Sequence, residues 1–219
     1  MYGVLVIGAP GAGKSTFCAG LVDIFSQINR PYFTINLDPA NNLVQYDATY
    51  DIKELVAVEE VMDRLGMGPN GALKYCIDTL CRNQDWLLRK IQDNKDKYVI
   101  LDCPGQLELY KCEGELWKIN VLSKVDLFDE NASFNLEYFI ELPDVNRLLE
   151  LLNDVPGLER YHALNTAICD VLSNFDMVNF VPLNVQRKED MANVLRLADS
   201  ANGWAFHDVS DIRELVVNQ

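Results

Sequence analysis

The stretch Gly8-Ala9-Pro10-Gly11-Ala12-Gly13-Lys14-Ser15 limits what this chain can fold into more than any other. It fits G-x-x-x-x-G-K-[ST]. The apolar run Val4-Leu5-Val6-Ile7 precedes it, and Phe17, Leu21, Ile24 and Phe25 follow at helical spacing. Strand, glycine-rich turn and helix in that order are the context a phosphate loop requires. Its glycines let the backbone wrap a phosphate with N–H groups inward, and the helix N-terminus adds positive potential. Gly11, Ala12 and Gly13 are the candidate amide donors, with Thr16 next to the turn. Lys14 is placed to reach the outer phosphates, and Ser15 to hold Mg2+. A glycine-rich turn that matches by accident is the competing reading.

The rest of the chain alternates in the same way. Tyr32–Leu37, Tyr98–Asp102, Ile119–Leu122 and Val178–Pro182 read as further strands. Residues 51–65 and 71–91 read as helices, broken at Gly66-Met67-Gly68-Pro69-Asn70-Gly71. Leu158–Leu172 reads as a helix packed through Leu164, Ile168, Val171 and Leu172, and 191–203 as another. Continuous apolar strands separated by helices predict an α/β fold, a mostly parallel sheet covered on both faces. Ligands in such sheets bind beyond the carboxyl ends of the strands, where every motif discussed here falls.

Charge narrows the function classes. The 33 acidic and 19 basic residues leave a net charge of -14. Such a surface repels phosphate backbones and anionic lipid, so neither direct nucleic-acid binding nor a membrane partner is expected. No apolar run is long enough to span a bilayer. The start of the chain does not read as a secretory signal. Six cysteines without Cys-x-x-Cys spacing and only two histidines argue against zinc. They fit reduced thiols in the cytosol.

Asp102 closes a strand and opens Asp102-Cys103-Pro104-Gly105-Gln106. A carboxylate there can hold Mg2+, a hard cation that prefers oxygen. The Gly105 amide can approach a terminal phosphate without a Cβ in the way. Gln106 can orient an attacking water. Asp38, at the end of the second strand, can position or activate that water. Both aspartates also suit a plain turn. Ser123-Lys124-Val125-Asp126 follows the fourth strand. One carboxylate there can accept guanine's N1–H and 2-amino group together, a pair that adenine lacks. The Lys124 stem can lie along the base. Asn184, after the fifth strand, is a candidate for a remaining base contact, with a simple loop the alternative.

These blocks together resemble the GPN-loop GTPase family. Gly68-Pro69-Asn70 matches the motif that names the family. Asn36-Leu37-Asp38-Pro39-Ala40-Asn41, Asp102 to Glu108 and Leu122 to Leu127 are similar to its other blocks. Phe134-Asn135-Leu136-Glu137-Tyr138 and Phe180-Val181-Pro182-Leu183-Asn184 look most like the second of three eukaryotic paralogues. The resemblance covers nearly the whole chain. It implies a three-layer P-loop NTPase over residues 1–205 with a helical GPN-loop insertion around 51–91, and a tail or short helix at 206–219. It implies GTP or GDP as ligand and hydrolysis of GTP to GDP and phosphate, with Asp38, Gln106 and Glu108 at positions linked to that step. It further implies a dimer, of like chains or with a paralogue, in which the Gly68-Pro69-Asn70 loop enters the neighbour's site and Asn70 acts there. The eukaryotic members are associated with assembly and nuclear import of RNA polymerase II. Its subunits or assembly factors are therefore the implied partners, in the cytoplasm with shuttling to the nucleus. From the residues alone, Gly68-Pro69-Asn70-Gly71 is equally a turn between helices.

One stretch departs from the family. Between Tyr110 and Ile119 there is no room for the strand and helix that the family carries there, because each parallel crossover takes a dozen or more residues. The expectation is a sheet short of one strand and its helix, with apolar surface laid bare and hydrolysis impaired. A splice form, an imperfect gene model and a natural deletion all account for it. A nucleotide-binding scaffold without useful turnover is the alternative function, and a P-loop kinase or ATPase is a third.

Overall fold

The computed structural model describes residues 1–41, 44–106, 118–128, 135–141, 149–150, 152–157, 159–173 and 180–204. In chain order the elements begin with strand β1 (Gly3–Val6), helix α1 (Lys14–Gln27), β2 (Tyr32–Asn36) and β3 (Tyr50–Asp51). A 3-10 turn at Ile52–Glu54 leads to α2 (Val58–Leu65), α3 (Pro69–Arg82), α4 (Gln84–Asp93) and β4 (Tyr98–Asp102). Then come β5 (Asn120–Ser123), α5 (Leu136–Glu141), α6 (His162–Ser173), β6 (Phe180–Leu183) and α7 (Lys188–Asn202). Two compact units result. The first takes residues 1–117 and 184–219, and the second 118–183.

The first unit is built on a parallel sheet in the order β1-β4-β2-β3. β4 is central, its register running Val6 beside Asp102 on one side and Asn36 beside Asp102 on the other. Three strand ends therefore meet at one level. Phe33, Ile35, Leu37, Val99 and Cys103 form a buried cluster against Trp86, Leu87 and Ile91 of α4. The buried side of α1 runs through Cys18, Leu21, Ile24 and Phe25. Cys18 takes the place expected for Phe17. The stretch 71–91 is two helices rather than one. Asn83 ends α3 and starts α4, and its side-chain amide turns back to the Thr79 carbonyl at 2.8 Å. α2 and α3 enclose a small core of their own, made of Val58, Val61, Ala72, Leu73 and Cys76. β3 has only two residues, too few for alternation or an apolar run to mark it.

β1 sits at one end of this sheet, and no described strand pairs with its other side. Leu5 is 44% and Ile7 40% exposed. The sequence run Val4–Ile7 reads as a strand buried on both faces, and the exposure of Leu5 and Ile7 corrects that expectation among the described residues.

In the second unit β5 and β6 pair in parallel as a two-stranded sheet, Ser123 beside Leu183. α6 corrects an expectation. Leu164, Ile168 and Val171 carry helical periodicity and were expected to pack, yet they are 55%, 48% and 57% exposed. Among the described residues of this helix, Cys169 is the buried one. A two-stranded sheet offers little surface for a helix to cover, so the apolar stripe outruns its support. Leu172 and the terminal tail lie outside the residues whose side chains are described. Among the described residues no helix is long and apolar enough to cross a membrane.

Candidate active site

The loop after β1 has the backbone that a phosphate cradle needs. Gly11 and Gly13 have φ of 75° and 90°, in the left-handed region that glycine enters without Cβ strain. The Ala12 amide donates to the Ala9 carbonyl (3.1 Å), and the Phe17 amide to Gly13 (2.9 Å) as α1 starts. The Lys14 ammonium lies over the loop, donating to the Ala9 carbonyl at 3.4 Å. Ser15 Oγ accepts from the Asn41 side-chain amide at 2.8 Å.

The strand ends bring the acidic groups to this loop. Asp102 is buried at the end of β4. The Tyr46 hydroxyl donates to its Oδ2 at 3.1 Å, and its Oδ1 is buried without a hydrogen bond. Burial pushes the Asp102 carboxyl up. The nearby Ser15 and Tyr46 hydroxyls and the Lys14 ammonium oppose this, while Asp38 adds to it. Gly105 is needed for a reason beyond the approach of a phosphate. A Cβ there would sit 2.9 Å from Pro10 backbone atoms, so only glycine lets the 102–106 turn close on the phosphate loop. Gln106 Oε1 is buried and makes no hydrogen bond.

Asp38 is held by two hydrogen bonds. Its amide donates to Asn36 Oδ1 (3.1 Å), and its Oδ1 accepts from the Ala40 amide (3.0 Å). Burial raises its carboxyl, against the Ala40 amide, Lys14 and Lys53. Asn36 is fully buried and donates to Asp51 Oδ2 at 2.9 Å. Lys53 donates to the Asn41 carbonyl at 3.0 Å. Asn36, Asn41, Tyr46 and Lys53 thus surround the site; the sequence places Asn36 and Asn41 in a family block without a role, and no motif marks Tyr46 or Lys53. Asn36 left a signal, since a polar residue at the buried end of an apolar strand has to satisfy something. Tyr46 left none.

The structure therefore gathers Gly11, Gly13, Lys14, Ser15, Asp38, Asp102, Gly105 and Gln106 around one set of strand ends. An orphaned buried carboxylate oxygen, a hydroxyl nearby and a glycine loop in left-handed conformation at a helix N-terminus suit a phosphate with a hard cation on it. No cluster of three or more His, Cys, Asp or Glu that could cage a metal exists among the described residues. A cation shared between Ser15, Asp102, water and phosphate oxygens needs no such cluster. Glu108 lies outside the described residues.

The other candidate residues are placed as follows. In the second unit Ser123 ends β5, and Lys124 stands at φ 60° before a 3-10 turn of Val125–Leu127. Lys124 and Asp126 are exposed. Asn184, in the first unit, spends its Oδ1 on the Gln186 amide (2.9 Å), and its own amide donates to Asp190 (2.9 Å). That is local turn geometry at the approach to α7. Gly68-Pro69-Asn70 forms the entry to α3, with Pro69 in the first turn and Gly66 ending α2 at φ 63°. All three residues are exposed.

Comparison with known proteins fits this geometry. A family profile described as a conserved hypothetical ATP binding protein matches residues 6–120 and 113–204. The two matched pieces overlap at residues 113–120. GPN-loop GTPase 2 of Danio rerio is 36% identical over 259 aligned residues, covering 96% of this chain and 83% of the relative. That alignment is longer than this 219-residue chain, so the relative holds residues with no counterpart here. The GPN-loop GTPase 2 homolog of Dictyostelium discoideum is 34% identical, covering 94% of this chain and 81% of the relative. GPN-loop GTPase 3 of Eremothecium gossypii is 35% identical, covering 92% of each. Relatives of both numbers stand at similar identity, which leaves the paralogue open. A GTPase from Pyrococcus abyssi, solved in its apo form, shares the fold with a TM-score of 0.68 at 22% identity, covering 91% of this chain and 97% of that one. With the phosphate loop, the Asp102 turn and the Gly68-Pro69-Asn70 entry all in place, this chain belongs to the GPN-loop GTPase family.

Proposed function

We propose that this GTPase works as a Mg2+-dependent dimeric switch, binding GTP and hydrolysing it to GDP and phosphate, in assembly or nuclear import of RNA polymerase II. The observation that carries the cation dependence is the buried Asp102 Oδ1 without a hydrogen bond at the phosphate loop. Ser15 and Asp102 would hold Mg2+, which when bound offsets charge on the phosphate oxygens. Lys14 and the Gly11–Gly13 amides hold the phosphates themselves. Asp38, half-buried and fixed by Asn36, and Gln106 orient the attacking water. Asp126 is the proposed acceptor for the guanine edge, with Lys124 along the base and Asn184 as a further contact.

The dimer rests on the family resemblance together with the exposure of the Gly68-Pro69-Asn70 entry to α3. The polymerase partners and the location in the cytoplasm, with shuttling to the nucleus, rest on the resemblance alone. Melting the chain with Mg2+ and GTP, GDP or ATP, then measuring phosphate release and mass by light scattering, tests the proposal. At 100-fold its Kd a nucleotide adds about 2.7 kcal/mol, a shift of several degrees. Stabilisation by GTP and GDP but not ATP, a mass of two chains and turnover that falls in Asn70→Ala are expected.

A second reading has its own observation. Among the described residues no strand pairs with the open side of β1, next to the phosphate loop, and this favours a scaffold that binds nucleotide without useful turnover. Stabilisation by GTP with no phosphate release selects it.

A further inference from the structure

We propose that Tyr46 is a positioning residue for the cation, fixing the Asp102 carboxylate so that one oxygen faces the metal. This rests on the reading of Asp102 as a cation ligand. Tyr46 comes from the connection between β2 and β3, 56 residues away in sequence, and its hydroxyl is spent on Asp102 Oδ2 at 3.1 Å. Both side chains are buried. A carboxylate at a strand end can rotate about χ2 and present either oxygen, or bridge both to one cation. A phenol donating to one oxygen removes that freedom and leaves Oδ1 as the single unsatisfied acceptor.

The same connection also touches the other proposed ligand. Asn41 donates to Ser15 Oγ at 2.8 Å, and Lys53 anchors Asn41 through its carbonyl at 3.0 Å. Serine oxygen carries two lone pairs, so this contact leaves one for the cation. The two ligands are thus set by a single stretch of chain. Partners of this outer kind orient metal ligands, and their loss costs roughly 10–100-fold in metal affinity.

The test is a fluorescence titration of a GDP analogue labelled on its ribose, with MgCl2 varied from a chelated start. Tyr46→Phe should bind the analogue as the wild type does in chelator, while the Mg2+ concentration at half-effect rises roughly 10-fold. Asp102→Asn is run beside it. If Asp102→Asn leaves the Mg2+ response intact, the reading of Asp102 as a ligand fails. If Asp102→Asn abolishes the response and Tyr46→Phe leaves the half-point unmoved, only the role of Tyr46 is overturned. Should Tyr46→Phe not fold, Tyr46→Gln keeps a donor without the ring. A wild-type half-point in that variant supports the proposal, and a half-point raised about 10-fold overturns it.

Discussion

The first unit buries charge, and the second exposes hydrocarbon. Arg30 and Asp199 form a buried pair at 2.9 and 3.0 Å, with the guanidinium packed against the rings of Phe25, Tyr98 and Trp204. In the second unit, Leu164, Ile168 and Val171 line one side of a helix with nothing described over them. Burying an ion pair is tolerable only where the surroundings are complete enough to fix its geometry. An exposed apolar stripe means the reverse, a layer without its cover. The two units therefore differ in how complete their surroundings are. The first keeps an exacting buried arrangement, and among the described residues of the second nothing covers the apolar side of α6.

The largest effect should come from breaking the buried pair. Asp199→Ala strands a buried guanidinium and should cost about 3–5 kcal/mol. Chemical denaturation followed by fluorescence measures it. A cost below about 1 kcal/mol would mean that the pair is exposed in solution, and the contrast between the units would fall. Truncations of similar kind sharpen the contrast. Phe25→Ala should cost about 3–5 kcal/mol, whereas Ile168→Ala should stay within about 0.5 kcal/mol. Comparable losses at the two sites would show that α6 is covered in solution.

What the sequence made legible follows the same division. The phosphate loop was readable because its chemistry needs a fixed spacing of Gly, Lys and Ser, and its flanks needed only local periodicity. The short run between Tyr110 and Ile119 was readable as too tight for a further strand because chain length bounds a crossover. The Tyr46–Asp102 contact was not, since it depends on how a long connection folds back over a strand end, and no spacing rule encodes that. The exposure of α6 was not legible either. Periodicity says that a helix has an apolar side, but whether a partner element exists for it is a property of the sheet. Asn83 as the divider of residues 71–91 was missed because both sides of it carry strong helical pattern.

Smaller effects separate the reasons for glycine within the first unit. Gly13→Ala meets no atom within 4 Å but keeps φ at 90°, so backbone strain alone should cost about 1–2 kcal/mol. Gly68→Ala, also in open space at φ −71°, should cost less than about 0.5 kcal/mol. Equal costs would show that the phosphate loop relaxes out of its left-handed conformation.

The smallest expected effect runs opposite to the usual direction of mutation. Burial raises the carboxyls of Asp38 and Asp102 above their ordinary 3.8, so the folded chain without cation or nucleotide holds protons that the unfolded chain has released. Stability then falls as pH rises from the ordinary carboxylate range through the raised native values, and the penalty persists at neutral pH. Asp102→Asn removes one of the two charges while keeping shape and the Tyr46 contact. At neutral pH without nucleotide it should melt above the wild type. That advantage should shrink as pH is lowered toward the carboxylate range, where the wild-type group is protonated as well. Adding Mg2+ with GDP should reverse the order, because only the wild type offers the cation a charged oxygen. A variant that melts below the wild type at neutral pH without ligand would mean that Asp102 already has a compensating partner in the empty chain. The stability given up at the phosphate loop would then have to lie with Asp38.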